Sequence, residues 1–219
     1  MNYPPSTLAT LVLLACTFLG SAPPPEDWAK SPEAAFLTTE ERRQWQELRS
    51  DESREEFKKV YWSRRDPDPA TAANEFREMV QARIRSADAQ FSVGKTPGSR
   101  TARGLVLIVL GRPSIQQQFA GAIKGVPDMS TPGRISIPND AFATTEFHTW
   151  VYDRDTRPDL LKLLGTSRVE VAFIVEPGHR DELQQPGRFH EWQAIVARES
   201  IVPSARLLVL DAAVRRRGK

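Results

Sequence analysis

Three histidines, one cysteine and a few closely spaced carboxylates are the side chains of this 219-residue chain with chemical reach. His190-Glu191 opens like a zinc-protease helix, in which a second histidine one turn on completes the metal pair. That position holds Ala194, so the pair is absent. His148 and His179 lie far apart in sequence, and all three histidines are expected at surface or half-buried positions rather than around a metal. Asp66, Asp68 and Glu75 offer carboxylates for acid–base work, which needs environments that separate their pKa values. With Arg64, Arg65 and Arg77 close by and prolines at 67 and 69, turn formation and ion pairing are the expected duties. Gly94-Lys95-Thr96 suggests a phosphate loop, but the required upstream glycine is Ala89 and the segment follows a helical pattern rather than a strand. There is no Gly-x-Ser-x-Gly elbow for a serine nucleophile. Trp45, Tyr61, Trp62 and Phe76 sit at helical spacing and are expected in the core rather than in a ligand groove.

The single cysteine, Cys16, lies in an apolar N-terminal stretch, so the rest of the chain has no disulfide, thiolate metal site or cysteine nucleophile. Residues 1–25 carry no charge, and their apolar run from residue 8 to 15, continued by Phe18 and Leu19, is shorter than the ~20 residues of a membrane span. It has the length of an export signal's apolar region. Leu13-Leu14-Ala15-Cys16 has the form of a lipobox, which makes Cys16 the lipidation candidate. Gly20-Ser21-Ala22 is a competing small-residue cleavage site, and Pro23 after it is a poor context for cleavage. A retained anchor and a misassigned start are the remaining alternatives. The expected location is therefore outside the cytoplasm, as a periplasmic protein or a membrane-anchored lipoprotein.

Composition agrees with a folded domain: 40% hydrophobic and 26% charged residues are globular proportions. Thirty Lys and Arg against 28 Asp and Glu leave a net charge of only +2, too little to support nucleic-acid binding. The basic end, Arg215-Arg216-Arg217 with Lys219, is expected to be solvated.

The elements read as helices first and strands afterwards. Pro23-Pro24-Pro25 forms a stiff spacer. Thr38 and Glu41 have capping-box spacing ahead of a helix over 40–48. A second helix spans 52–65, with Phe57, Val60, Tyr61 and Arg64 on one face, and a third spans 72–91, aligning Phe76, Val80, Ile84, Ala87 and Phe91. Residues 105–110, an unbroken valine- and isoleucine-rich run between Gly104 and Gly111, read as a strand buried on both faces, with 99–103 as its lead-in. Residues 114–143 are ambiguous, with a short strand at 134–137. Residues 146–152 and 169–175 read as strands, 160–164 as a helical turn, 188–199 as a helix, and 206–210 as a last strand or helix start. This order predicts an α+β fold, with N-terminal helices packed on a mixed or antiparallel β-sheet. The divisions are a signal segment and spacer over 1–25, a helical part over 26–95, and a β-rich part of the same domain over 96–219.

Several of these stretches, in order, resemble the GWxTD domain family of bacterial envelope proteins. They are Leu37 to Arg42; Trp62-Ser63-Arg64-Arg65-Asp66-Pro67; Asn74-Glu75-Phe76-Arg77; Pro97-Gly98-Ser99-Arg100-Thr101-Ala102-Arg103-Gly104; Gly111-Arg112-Pro113; and Trp150-Val151-Tyr152. The likeness marks Arg65, Asp66, Pro67, Asn74, Glu75, Phe76, Arg77, Gly98, Thr101, Arg103, Gly104, Gly111 and Pro113 as motif positions. The chain departs where the family has a tryptophan (Ser99), an aspartate (Ala102) and an acidic residue (Ser114), and in Val175-Glu176-Pro177-Gly178. The resemblance implies an envelope location and a fold, and assigns no reaction. The expected function is a non-enzymatic interaction or structural module with an unknown envelope protein as partner and no cofactor. The alternative is a hydrolase-type enzyme using carboxylates near Asp66 and Glu75.

Overall fold

The computed structural model describes residues 27–123 and 144–201. The signal segment with Cys16, the strand read at 134–137, the element read at 206–210 and the basic end lie outside the described residues. Within them the fold is α+β, as its sequence predicts: six α-helices and one antiparallel sheet of four strands.

The chain enters through two short 3-10 turns that deliver Trp28 and Phe36 to the interior. Helix α1 (Thr39–Glu47) begins on the expected capping box: Thr38 Oγ1 accepts from the Glu41 amide, and Glu41 reaches back to the Thr38 amide. Helix α2 (Asp51–Ser63) is capped by Ser50 and α3 (Glu75–Phe91) by Asn74. The predicted face of α3 holds, since Phe76, Val80 and Ala87 are all fully buried. The predicted face of α2 is rotated. Tyr61, Trp62 and Arg65 point inward, whereas Val60 is 45% exposed and Arg64 faces solvent. Two bulky aromatics outweigh one valine in choosing which stripe is buried.

Residues 105–110 form no strand. They belong to helix α4 (Ala102–Leu110), which has Thr101 as N-cap and Gly111 at φ 78° just beyond its end. Packing against α3, α6 and the second 3-10 turn buries Val106, Leu107, Ile108, Val109 and Leu110. A helix enclosed on all sides is apolar all round and loses the periodicity that separates it from a buried strand.

The sheet follows, in the order β1 (Ile115–Ile123), β2 (Thr144–Asp153), β3 (Arg168–Val175), β4 (Glu182–Leu183). Helix α5 (Pro158–Leu163) links β2 to β3, and α6 (Pro186–Glu199) follows β4. In register, Trp150 opposes Val171 and Tyr152 opposes Val169 on the core-facing side. Rings join the two layers: Phe91 lies 5.6 Å from Trp150, and Trp150 lies 5.0 Å from Phe173. The described helical and β-rich parts share one hydrophobic core.

Candidate functional site

Three arrangements concentrate polar chemistry or exposed apolar surface. The first is buried around Arg65, whose side chain is fully enclosed. Its Nη2 donates to Glu41 Oε2 at 2.6 Å and to the Phe36 carbonyl at 2.7 Å. Its Nη1 donates to Glu41 Oε1 at 2.9 Å and to the Tyr61 carbonyl at 3.1 Å, and its Nε to Ser200 Oγ at 3.0 Å. The guanidinium also covers the Tyr61 ring at 4.0 Å. Burial pushes the Glu41 carboxyl up, but the bonds and charge of Arg65 outweigh that and hold it below its ordinary value. One side chain thereby ties α1, α2, the second 3-10 turn and the end of α6.

The second arrangement runs from α4 into the sheet. Asp181, in the segment between β3 and β4, accepts from the amides of Ala102 and Arg103 at 2.9 and 3.0 Å and from Arg103 Nε at 2.6 Å. It lies against the first turn of α4, where a negative charge complements the helix dipole. Arg103 stacks on Phe91 at 4.8 Å and reaches His148 Nδ1 at 3.4 Å. A guanidinium only donates, so Nδ1 accepts and the imidazole proton sits on Nε2, 2.8 Å from Glu146 Oε2. That bond, reinforced by Gln118 at 2.7 Å, holds the Glu146 carboxyl below its ordinary value. Both nitrogens of His148 are engaged, and this imidazole has no lone pair directed at a substrate.

The other motif positions are distributed through the framework. Asp66 Oδ1 accepts from the Asp68 amide in the turn after α2, and Pro67 is buried there. Asn74 caps α3 and donates to the Trp62 carbonyl at 2.8 Å. Glu75 Oε1 lies 3.4 Å from the Thr71 hydroxyl, while its Oε2 is buried without a hydrogen-bond partner. Phe76 packs on Phe36 at 5.1 Å, and Arg77 covers Trp62 at 5.4 Å. Gly98 and Gly104 mark close backbone crossings. A Cβ on Gly98 would stand 2.0 Å from the Ala87 carbonyl oxygen, and one on Gly104 would stand 1.8 Å from that of Gly98. Thr101 caps α4 through the Gly104 amide at 3.1 Å. Arg83 donates to the Ile108 carbonyl at the end of α4, Tyr152 to that of Gly111, and Arg157 to that of Arg112. Pro113 leads into β1. The stretch 99–103 is thus the lead-in to a helix, not to a strand.

The third arrangement is the sheet face turned away from the helices. Among the described residues four large hydrophobic side chains are exposed, and three of them share this face: Ile115 at 46%, Phe119 at 57% and Phe147 at 36%. Phe119 and Phe147 are direct register partners, and Phe147 in turn opposes Ile174. Near the β3 edge, where β4 ends, a cleft of about 200 Å³ is lined by Glu170, Leu183, Gln185, Arg188 and Trp192. Small-molecule sites usually measure about 300–1,000 Å³, so this cleft is undersized for one.

Sequence reasoning had no route to Asp181, which is 78 residues from its partner Arg103. His148 and Arg103, 45 residues apart, carry no local pattern that makes them neighbours. Among the described residues no group of three His, Cys, Asp or Glu is placed to hold a metal ion, and no helix is long and apolar enough to cross a membrane. No family model, curated protein or solved structure matches this chain.

Proposed function

We propose that this chain is an exported cell-envelope protein that works as a non-enzymatic interaction module and docks its partner on the outer face of the sheet. The observation that carries the reading is the exposed Ile115, Phe119 and Phe147 stripe on two paired strands. Solvent-exposed aromatic pairs on a rigid sheet are costly for solubility and serve as anchors at interfaces. The motif residues support a framework role, since Arg65, Asn74, Thr101, Arg103, Gly98 and Gly104 serve capping, ion pairing and close packing. Export rests on the uncharged apolar segment over 1–25, and kinship with the GWxTD family rests on the order of the motifs.

Two experiments test the two halves of this proposal. Cells labelled with a palmitate analogue should show label on the wild type and none on Cys16→Ser; equal labelling removes the lipoprotein assignment. Phe119→Ser and Phe147→Ser together should abolish partner capture from envelope fractions while the melting curve stays unchanged. Undiminished capture by the folded double variant overturns the assignment of the sheet face.

A further inference from the structure

Among the described residues strand β1 stands at the edge of the sheet, and no strand pairs with its far side. From residue 114 to 123 it carries no charge and no proline. Edge strands are normally blunted by lysine, proline, a bulge or brevity, because their unpaired amides and carbonyls recruit other strands. Here Ile115 to Phe119 are all exposed, and the register with β2 stays regular until a shift between Ala120 and Ile123.

We propose that β1 is the pairing edge for a second copy of this chain, joined antiparallel about a twofold axis through Gln117. This rests on the interaction-module reading and names its partner. A twofold interface must be self-complementary, and this five-residue stretch is. With Gln117 opposite itself, Ile115 faces the copy's Phe119, and Gln116 faces the copy's Gln118. On the outer face Ile115 and Phe119 then meet on either side of the central Gln117 pair, and on the inner face the Gln116 and Gln118 amides meet. The existing pair Phe119 with Phe147 extends this stripe across the junction into both sheets, while Val151, opposite Ile115, is already buried. A one-residue slip would join the outer face of one sheet to the core-facing side of the other, so the apolar pattern fixes the register. The neutral edge lets two identical strands approach without like-charge repulsion.

The axis gives a direct test. Any charge placed at position 117 faces itself in this dimer and faces a different residue in any other complex. Sedimentation equilibrium on the full chain should show a monomer–dimer equilibrium for the wild type. Gln117→Lys and Gln117→Glu should each raise the dimer dissociation constant by roughly tenfold or more. An equimolar mixture of the two should restore dimerisation, because the facing charges are then opposite. The residue is exposed, and unchanged circular dichroism confirms that each variant is folded. A wild type that stays monomeric to about 1 mM, variants that dimerise like the wild type, or a mixture no better than its components would each overturn the proposal. A monomeric wild type whose exposed phenylalanines still capture another envelope protein would refute self-pairing and leave the docking role standing.

Discussion

Replacing Arg65 with methionine removes the buried one of the two cations that neutralise Glu41. The carboxylate side chain is 3% exposed, and its remaining partners would be the Thr38 amide at 2.9 Å and the half-exposed Arg64 at 3.4 Å. The carbonyls of Phe36 and Tyr61 and the hydroxyl of Ser200 would lose a donor as well. Breaking a buried pair from one side costs about 3–5 kcal/mol, a large share of the ~5–15 kcal/mol that holds a domain together. At a urea slope of about 2 kcal/mol per M, the unfolding midpoint should fall by about 2 M. Adding Glu41→Leu removes the stranded charge and should recover at least about 2 kcal/mol, since apolar replacement of a whole buried pair is often neutral. The pH dependence has a defined sign. Glu41 has a depressed carboxyl, so its contribution is present above its unfolded value and is lost as pH falls through its folded value. The gap between wild type and Arg65→Met should therefore narrow on acidification. A loss under about 1 kcal/mol at neutral pH, or no recovery in the double variant, would refute the assignment of Arg65 as the clasp of the helical half.

Further perturbations address the packing. Phe76→Ala should cost about 3–5 kcal/mol in denaturant melts, because the ring is fully buried against Phe36. Gly104→Ala should destabilise by about 1–3 kcal/mol or more, since its Cβ meets backbone that cannot yield, whereas Gly187→Ala, with open space around it, should change the same melt by less than about 0.5 kcal/mol. Asp181→Asn weakens charge-assisted bonds worth about 1.5–3 kcal/mol and should speed hydrogen exchange at the Ala102 and Arg103 amides before other parts of α4.

Local chemistry made much of this fold legible in the sequence. The Thr38–Glu41 capping box and the strand over 146–152 are decided by neighbours in sequence, and both appear in the structure as expected. Helix α4 was hidden because burial on every side erased its periodicity, and its valines and isoleucines imitate a strand. The signals that favour a helix were still present: a threonine N-cap at Thr101, and Gly111 in the position that ends helices. Strand β1 escaped because Gln116, Gln117 and Gln118 are all exposed and give no apolar alternation to read. The rotation of α2 and the pairing of Asp181 with Arg103 depend on tertiary contacts that no local pattern encodes.

The docking role of the sheet face is tested most directly by photo-crosslinking in cells. A benzophenone side chain would be placed at Phe119, at Phe147, or at the exposed Glu55 on α2. Discrete crosslinked products from positions 119 and 147, and none from 55, are expected. Adducts of equal yield from all three positions, or none from the sheet face, would contradict the proposed role of this surface.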